Sequence, residues 1–306
     1  MTTPPATPPS AVFRFAPSPN GALHLGHALS ALITYERAKA AGGRFLLRIE
    51  DIDTARCHPE HEAQMLEDLA WLGLEWEEPV RRQSEHFQDY VAAADRLRAM
   101  DILYPCFASR REIGEAAHRR GPDHPRDPDG VPLYPGLCRD LDRQEAAARI
   151  ARGEPHAWRI HMERALAALG EQGARGLSFT ELDPHGQARR IEAEPERWGD
   201  AVIVRKDVPA SYHLAVVVDD ALQGVTHVTR GEDLFAATHL HRLLQALLGL
   251  PAPRYSHHPL LLDPQGRKLS KSQGAPGIAA LRQAGHTPEA VREMAFAHLA
   301  GGGRKR

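Results

Sequence analysis

The sequence predicts an α/β protein in which helices cover a parallel sheet, and two observations lead to that prediction. An apolar segment, residues 11–15, precedes a Pro/Gly turn, after which apolar side chains recur at helical spacing from Leu25 to Lys39. A second apolar run, residues 45–49, ends in the acidic stretch Glu50–Asp53. Ligands of open α/β sheets bind at the carboxyl ends of the strands, so this edge is where we expect a site.

The order of the remaining patterns predicts how the chain is divided. Amphipathic helices are expected at residues 61–72 and 86–100, and β-branched runs at 201–204 and 214–218 predict two more buried strands. Breaker-rich stretches interrupt the region between them, which predicts an inserted α+β subdomain. We therefore expect a disordered tail at 1–10, the first half of a Rossmann-type domain at 11–103, the insertion at 104–190, the second half at 191–260, and a lysine-containing loop with a short C-terminal helical segment at 261–306.

Composition excludes several classes of protein. The 306 residues can bury a large core, and Lys plus Arg (38) nearly balances Asp plus Glu (40), so any nucleic-acid partner would have to meet a local basic face. Three widely spaced cysteines do not suit a disulfide scaffold. The Thr/Pro-rich start has neither a basic segment nor an apolar one, so we expect a cytoplasmic protein with no membrane association.

Two histidines mark the predicted start of the first helix. His24 and His27 are three residues apart and flank Gly26, so both imidazoles can face one ligand above the exposed N–H groups of the helix. This arrangement suits a phosphate, and we predict that His24, Gly26 and His27 bind ATP. The alternative is a capped surface helix with incidental histidines.

Two lysines near the end of the chain form a second candidate site. Lys268 and Lys271 lie in the stretch Lys268–Ser272, in a sequence that otherwise supplies positive charge almost entirely as arginine. Such clustering favours a role for compact, rotatable ammonium groups over planar guanidinium groups. We predict that Lys268 and Lys271 act on the same phosphates as the histidines.

These two motifs resemble the HIGH and KMSKS signatures of class I aminoacyl-tRNA synthetases. Four further segments resemble the catalytic domain of glutamyl-tRNA synthetases, and together the similarity extends over about residues 11–275. The segments are Arg14–Gly21, Arg48–Asp51, Tyr212–Asp220 and Thr229–Leu234.

The resemblance implies a role for each site residue. Arg14 and Arg230 would bind the two carboxylates of glutamate and Glu50 its ammonium group, while Ser18 and Tyr212 would line the pocket. His24, His27, Lys268 and Lys271 would be catalytic, with Lys271 stabilising pyrophosphate. Mg²⁺ would arrive with ATP and leave no carboxylate cage, so we read Asp219 and Asp220 as structural residues at a strand end that touch ribose at most.

The resemblance also raises the question of zinc. Relatives without an anticodon domain often hold zinc with a Cys-x-Cys pair and a Tyr-x-x-x-Cys pair, and this chain keeps Cys106, Tyr134 and Cys138 but has Ala108 in place of the second cysteine. A structural zinc site needs four ligands. We therefore expect no zinc unless His118 or His124 supplies the missing donor, and the alternative is a remnant loop held by packing.

The region after the lysines is short, and we expect no anticodon-binding domain. The chain in this respect resembles the truncated branch of the family, which implies tRNA-independent activation of L-glutamate by ATP and transfer of glutamate to queuosine in the anticodon loop of tRNA(Asp), by a monomer. Two alternatives stay open. One is a minimal enzyme that charges the 3′ end of a tRNA, and the other is a catalytically silent relative that binds tRNA.

Overall fold

The structure of the protein is a computed structural model that describes residues 10–262 and 276–301. The strands in these ranges are β1 (Val12–Phe15), β2 (Arg44–Ile49), β3 (Glu77–Arg82), β4 (Leu103–Cys106), β5 (Ala157–Ile160), β6 (Ser178–Leu182), β7 (Ala188–Glu192), β8 (Val202–Val204), β9 (His227–Gly231) and β10 (Arg254–His258). The α-helices are α1 (Leu25–Ala40), α2 (Pro59–Trp71), α3 (Phe87–Ala99), α4 (Arg110–Arg119), α5 (Arg143–Ala151), α6 (Met162–Ala168), α7 (Gly170–Arg175), α8 (Tyr212–Leu222), α9 (Ala237–Leu247), α10 (Ile278–Gln283) and α11 (Pro288–Gly301).

The larger sheet confirms the predicted fold class. Its seven strands lie in the order β3-β2-β1-β9-β10-β6-β7, and every neighbouring pair is parallel except β6 with β7. The chain builds outward from β1 in one direction through β2 and β3, and later in the other direction through β9 and β10. The crevice between β1 and β9 is therefore the topological switch point, where α/β sheets bind ligands.

The alternation of side chains along β1 and β2 decides which face carries charge. Phe13 and Phe15 point to the face that packs with α1, α2 and α11. Arg14, the residue between them, points to the opposite face, because successive strand residues alternate. Leu46 of β2 is buried on the same face as Arg14, and Arg48, two residues later, shares this face. Both arginines contact α8 there. The sheet thus directs two buried arginines away from its largest apolar contact.

The smaller sheet contains β4, β5 and β8 in antiparallel order. Strands β6 and most of β7, within the predicted insertion at 104–190, belong to the larger sheet, whereas β8, within the predicted second half at 191–260, belongs to the smaller one. The domain boundaries themselves stay a prediction.

One predicted element is wrong. Residues 214–218 form part of the helix α8 and not a strand. Every residue from Leu214 to Asp220 is buried, and Leu214–Val218 belong to the apolar cluster that also contains residues of α3 and α9. A helix that is enclosed by neighbours can be apolar on all sides, so its sequence has the same continuous apolar pattern as a buried strand.

Two regions named above fall outside the described residues: the predicted tail, apart from Ser10, and the lysine segment with Lys268 and Lys271. In the described ranges no helix has both the length and the apolar character needed to cross a bilayer.

Candidate active site

A cavity of about 400 Å³ opens at the switch point of the larger sheet. Its walls come from β1, the start of α1, the end of β2, α8 and β9, together with His258 at the end of β10 and Leu260 and Leu261 after it. The cavity is lined by eight of the predicted site residues: Arg14, Ser18, His24, Gly26, His27, Glu50, Tyr212 and Arg230. The structure thus brings together residues that are more than 200 positions apart in the sequence.

The two histidines form the cap of α1. His24 is the N-cap residue, its Nδ1 accepts the N–H of Gly26 at 3.1 Å, and Nδ1 of His27 accepts the N–H of His24 at 3.2 Å. The rings stack with centroids 3.8 Å apart. Since each Nδ1 is an acceptor, a neutral ring carries its proton on Nε2. The cap therefore orients two N–H donors at the positive end of a helix, which suits phosphate oxygens.

Gly26 is required by this cap. A Cβ at position 26 would lie 2.9 Å from Cε1 of His24. A side chain there would displace the imidazole from the helix end, which explains a glycine between the two histidines.

A buried network of ion pairs holds one side of the cavity. Arg48 is fully buried and donates to Asp220 Oδ1 at 2.7 Å and to Glu50 Oε1 at 3.0 Å. Arg14 Nε donates to the same oxygen of Asp220 at 3.0 Å. Asp220 therefore bridges the two arginines and fixes Arg14, while Arg48 fixes Glu50.

The network also controls the charge of its acids. Burial disfavours the ionised form of Asp220, but Arg14 and Arg48 outweigh it and hold the pKa of Asp220 below its usual range. Burial raises the pKa of Glu50, and Arg48 and then Arg14 oppose that increase. The arginines thus favour the charged carboxylate of Glu50, the form that an ammonium group would bind.

Arg230 lies across the cavity in a different environment. It is buried, and its guanidinium donates to Tyr212 Oη at 3.2 Å, Thr238 Oγ1 at 2.6 Å and His257 Nε2 at 3.2 Å, while His241 Nδ1 lies 3.4 Å from Nη1. All four partners are uncharged, and among the described residues no carboxylate forms an ion pair with Arg230. A buried cation without a counterion is costly, so this position favours an anionic ligand.

Among the described residues, the charge of Arg230 is left without a contacting carboxylate, and it is the excess positive charge of the cavity. Arg14 and Arg48 contact Asp220 and Glu50. Asp219 lies 3.8 Å from Arg48 Nε but is paired with Arg81 at 2.7 Å, and Glu181 contacts His257 and not Arg230. Glutamate, with two carboxylates and one ammonium group, has a net charge of −1 and would neutralise this excess. The arrangement can thus hold an acidic amino acid beside a phosphate-binding helix start.

Some residues of the site were not anticipated from the sequence. Asp219 and Asp220 were expected at a strand end, but they lie in α8, where Asp220 supports Arg14 and where Arg81, Gln83 and Tyr90 donate to Asp219. Arg48 stands in the motif Arg48–Asp51 without a predicted role, although an arginine within the apolar run Phe45–Ile49 signals a buried charge that needs a partner. No sequence pattern predicts the neutral acceptors around Arg230.

The remaining predicted residues are placed as follows. Ser18 lines the cavity, with Oγ 3.6 Å from Cys57 Sγ. Lys268 and Lys271 lie outside the described residues, but Leu261, before that segment, lines the cavity, and Gly277, after it, forms a β-bridge with His24. The roles of all these residues stay predictions.

The three residues considered for zinc do meet. Tyr134 Oη accepts the Cys138 N–H at 2.8 Å and lies 3.3 Å from Cys106 Sγ, in a small buried cluster with Ala108 beside it. His124 Nε2 instead contacts the carbonyl oxygen of Leu133 at 2.8 Å. No group of three or more His, Cys, Asp or Glu side chains within residues 10–262 and 276–301 is arranged to hold a metal. These donors do not fit a closed four-ligand zinc site.

The class of the protein follows from a match to a protein-family model. The model described as tRNA synthetases class I (E and Q), catalytic domain, matches residues 10–301, so the chain belongs to this family.

Individual proteins show which members of this family the chain is similar to. The chain is 46% identical to the glutamyl-Q tRNA(Asp) synthetase of Rhodobacter capsulatus, over 92% of this chain and 99% of that protein. It is 38% identical to the glutamate–tRNA ligase of Aquifex aeolicus, over 91% of this chain but only 55% of the ligase. Among solved structures, the glutamate–tRNA synthetase of Elizabethkingia anophelis matches with a TM-score of 0.73 at 28% identity, covering 94% of this chain. The chain spans about three fifths (61%) of that synthetase.

Proposed function

We propose that the protein activates L-glutamate with ATP, without requiring tRNA, and then transfers glutamate to queuosine in the anticodon loop of tRNA(Asp). The observation that carries the proposal is the excess positive charge of the cavity beside the histidine-capped start of α1. The name of the 46% identical relative, which is matched over 99% of its length, supports the choice of acceptor.

In the proposed complex each charge of glutamate has a partner. Arg14 and Arg230 bind the two carboxylates, Glu50 binds the ammonium group, and Ser18 and Tyr212 complete the wall. Glutamine has no net charge, so it would leave a buried guanidinium without a counterion. Selection of glutamate over glutamine follows from the same excess charge.

The chemistry is a pair of displacements. An oxygen of the α-carboxylate attacks the α-phosphorus of ATP and pyrophosphate leaves, which gives glutamyl-adenylate. A hydroxyl of the queuosine ring then attacks the activated carbonyl, and AMP leaves as the hydroxyl proton is lost. His24, Gly26 and His27 bind the triphosphate, and Lys268 and Lys271 stabilise the pyrophosphate. Mg²⁺ enters with ATP.

A second candidate has support of its own. The similarity to a glutamate–tRNA ligase favours charging of a tRNA 3′ end, which uses the same adenylate and a different acceptor. A silent tRNA-binding relative is disfavoured, because the set of buried charges destabilises a cavity that binds nothing.

Two measurements test the proposal. Glutamate-dependent exchange of labelled pyrophosphate into ATP, without tRNA, is expected, and its absence would leave the silent relative as the better reading. Transfer of labelled glutamate is then compared between tRNA(Asp) with queuosine and the same tRNA without it. We expect label only with queuosine, whereas equal transfer would favour charging of the 3′ end. A cytoplasmic location and a monomeric state belong to the same proposal.

A further inference from the structure

The acceptors around Arg230 impose a condition on a neighbouring histidine. A guanidinium has only donors, so each atom it contacts must present a lone pair. Arg230 Nε points at Nε2 of His257, 3.2 Å away, on the adjacent strand β10, where the two residues are register partners. A neutral imidazole accepts at one nitrogen only. His257 can support Arg230 only when its proton is on Nδ1.

Glu181, on the next strand β6, holds the proton of His257 on Nδ1. Its carboxylate oxygens lie 3.1 and 3.0 Å from Nδ1 of His257, and Oε1 also accepts the backbone N–H of His257 at 2.9 Å. A carboxylate accepts and does not donate, so Nδ1 must carry the proton. Glu181 thereby fixes the tautomer and the ring orientation of His257.

A third contact is consistent with the same tautomer. Thr238 Oγ1 accepts from Arg230 Nη2 at 2.6 Å and lies 3.3 Å from Nε2 of His257. Its own hydroxyl proton can then be directed at Nε2, whose one lone pair would be shared between Thr238 and Arg230. Burial lowers the pKa of His257, Glu181 opposes that decrease, and Arg230 adds to it, which favours the neutral ring.

We propose that Glu181 and His257 are positioning residues for Arg230, and that this three-strand relay determines the affinity of the site for a ligand carboxylate. The inference rests on the proposed function, in which Arg230 binds glutamate. Without Glu181 the proton of His257 can move to Nε2, where it would face the Nε–H of Arg230. Two opposed donors would turn the guanidinium away from the position in which it lines the cavity.

The expected effect is moderate, because Thr238 and Tyr212 still hold Arg230. Misplacing one hydrogen bond of a charged group weakens binding by roughly tenfold to a hundredfold. Glu181→Met should therefore raise the KM for glutamate at least about tenfold in pyrophosphate exchange while changing the KM for ATP less than about twofold.

Two rescue variants separate positioning from loss of structure. Glu181→Gln keeps an amide oxygen that accepts from Nδ1–H, so its KM for glutamate should stay within about threefold of the unaltered protein. In the double variant Glu181→Met/His257→Gln, the amide oxygen of the new glutamine accepts from Arg230 without needing a fixed tautomer. That variant should recover most of the lost affinity.

A matched control comes from the same pair of strands. Ser256 is next to His257 in β10, and its hydroxyl donates to the carbonyl oxygen of Leu182 in β6 at 3.0 Å. Ser256→Ala removes a contact between these strands without touching Arg230. An equal rise in the KM for glutamate with Ser256→Ala and Glu181→Met would overturn the relay, as would an unchanged KM in Glu181→Met.

The tautomer can be measured independently of glutamate. Long-range ¹H–¹⁵N spectra of protein labelled on histidine should show a ring with Nδ1 protonated that disappears in His257→Gln. A ring protonated on Nε2 instead would overturn the relay even if glutamate binds. The expected tautomer in a protein that shows no heat of glutamate binding would contradict the proposed function, and with it the role of the relay in affinity.

Discussion

Replacing Arg48 by methionine removes the guanidinium at the centre of the buried ion-pair network and keeps a side chain about as long as its aliphatic stem. The side chain is fully buried and lies between two acids, donating to Asp220 at 2.7 Å and to Glu50 at 3.0 Å. Gln223 Oε1 accepts from it at 3.0 Å as well. Methionine can fill the space of the aliphatic stem, so the change acts mainly through charge.

The expected loss of stability follows from the carboxylates that remain buried when Arg48 is removed. Removing one member of a buried ion pair costs about 3–5 kcal/mol, because the other charge is left uncompensated. Asp220 keeps Arg14, but Glu50 loses its nearest cation, and its pKa, already raised by burial, should rise further. We expect a loss of about 3–5 kcal/mol in the free energy of unfolding, a large part of the roughly 5–15 kcal/mol of a typical domain. Glutamate affinity should fall too, since a protonated Glu50 does not bind an ammonium group.

Urea unfolding at pH 7.5 measures the effect, with Arg230→Met as the matched control. Arg230 has no ion pair among the described residues, so its removal leaves no buried carboxylate behind, and we expect it to cost less than about 2 kcal/mol. The double variant Arg48→Met/Asp220→Asn should be more stable than the sum of its single changes predicts. A loss below about 1 kcal/mol for Arg48→Met, or equal losses for the two arginine variants, would refute the reasoning.

Two further predictions concern pH and glycine. Burial, and then Arg230, lowers the pKa of His213 to about 4, so the folded protein resists a proton that the unfolded chain accepts near pH 6.5. The contribution of His213 to the free energy of unfolding should be fully present above about pH 6.5 and should decrease below it, by about 2 kcal/mol at pH 5. In urea unfolding at pH 7.5 and 5.0, His213→Gln should lose less stability between the two pH values than the unaltered protein does. An identical loss in both proteins would contradict the assignment. Gly26→Ala, whose Cβ would meet His24 at 2.9 Å, should raise the KM for ATP several-fold at nearly unchanged stability. Gly43→Ala, whose Cβ would clash with the backbone carbonyl oxygen of Ala11, should instead lower stability by about 2 kcal/mol and leave the KM for ATP unchanged. The reverse pattern would exclude the cap as the reason for Gly26.

The first part of the fold was predictable because local signals agree there. Strand β1, helix α1 and strand β2 combine clear periodicity with a turn and a cap, and their bounds match the prediction to within two residues. Strands β9 and β10 were missed for a physical reason. Their sequences, His-Val-Thr-Arg-Gly and Arg-Tyr-Ser-His-His, are polar because they supply the wall of the site, so they lack the apolar pattern by which a buried strand is recognised.

The support of the site was less predictable than its lining. Arg14 and Arg230 stand in motifs, whereas the partners that orient them are scattered through the chain. Asp220 is 206 positions from Arg14, and Glu181 reaches Arg230 only through His257. A sequence indicates that a buried charge needs a partner, but the identity of that partner depends on how strands and helices pack.

The two arginines of the cavity are held in different ways, and in the proposed complex the difference has a consequence for selection. Arg14 is neutralised by Asp220 before any ligand arrives, so its contact with a ligand carboxylate adds hydrogen bonds while the local charge was already balanced. Arg230 is held by neutral acceptors, and the charge it carries is left for the ligand. Glutamate and glutamine both have an α-carboxylate, so discrimination must depend on the charge that remains after that group and the ammonium group are paired. Supporting Arg230 with histidine, threonine and tyrosine keeps its full charge available, whereas a carboxylate in their place would cancel the excess on which the preference for an acidic side chain depends.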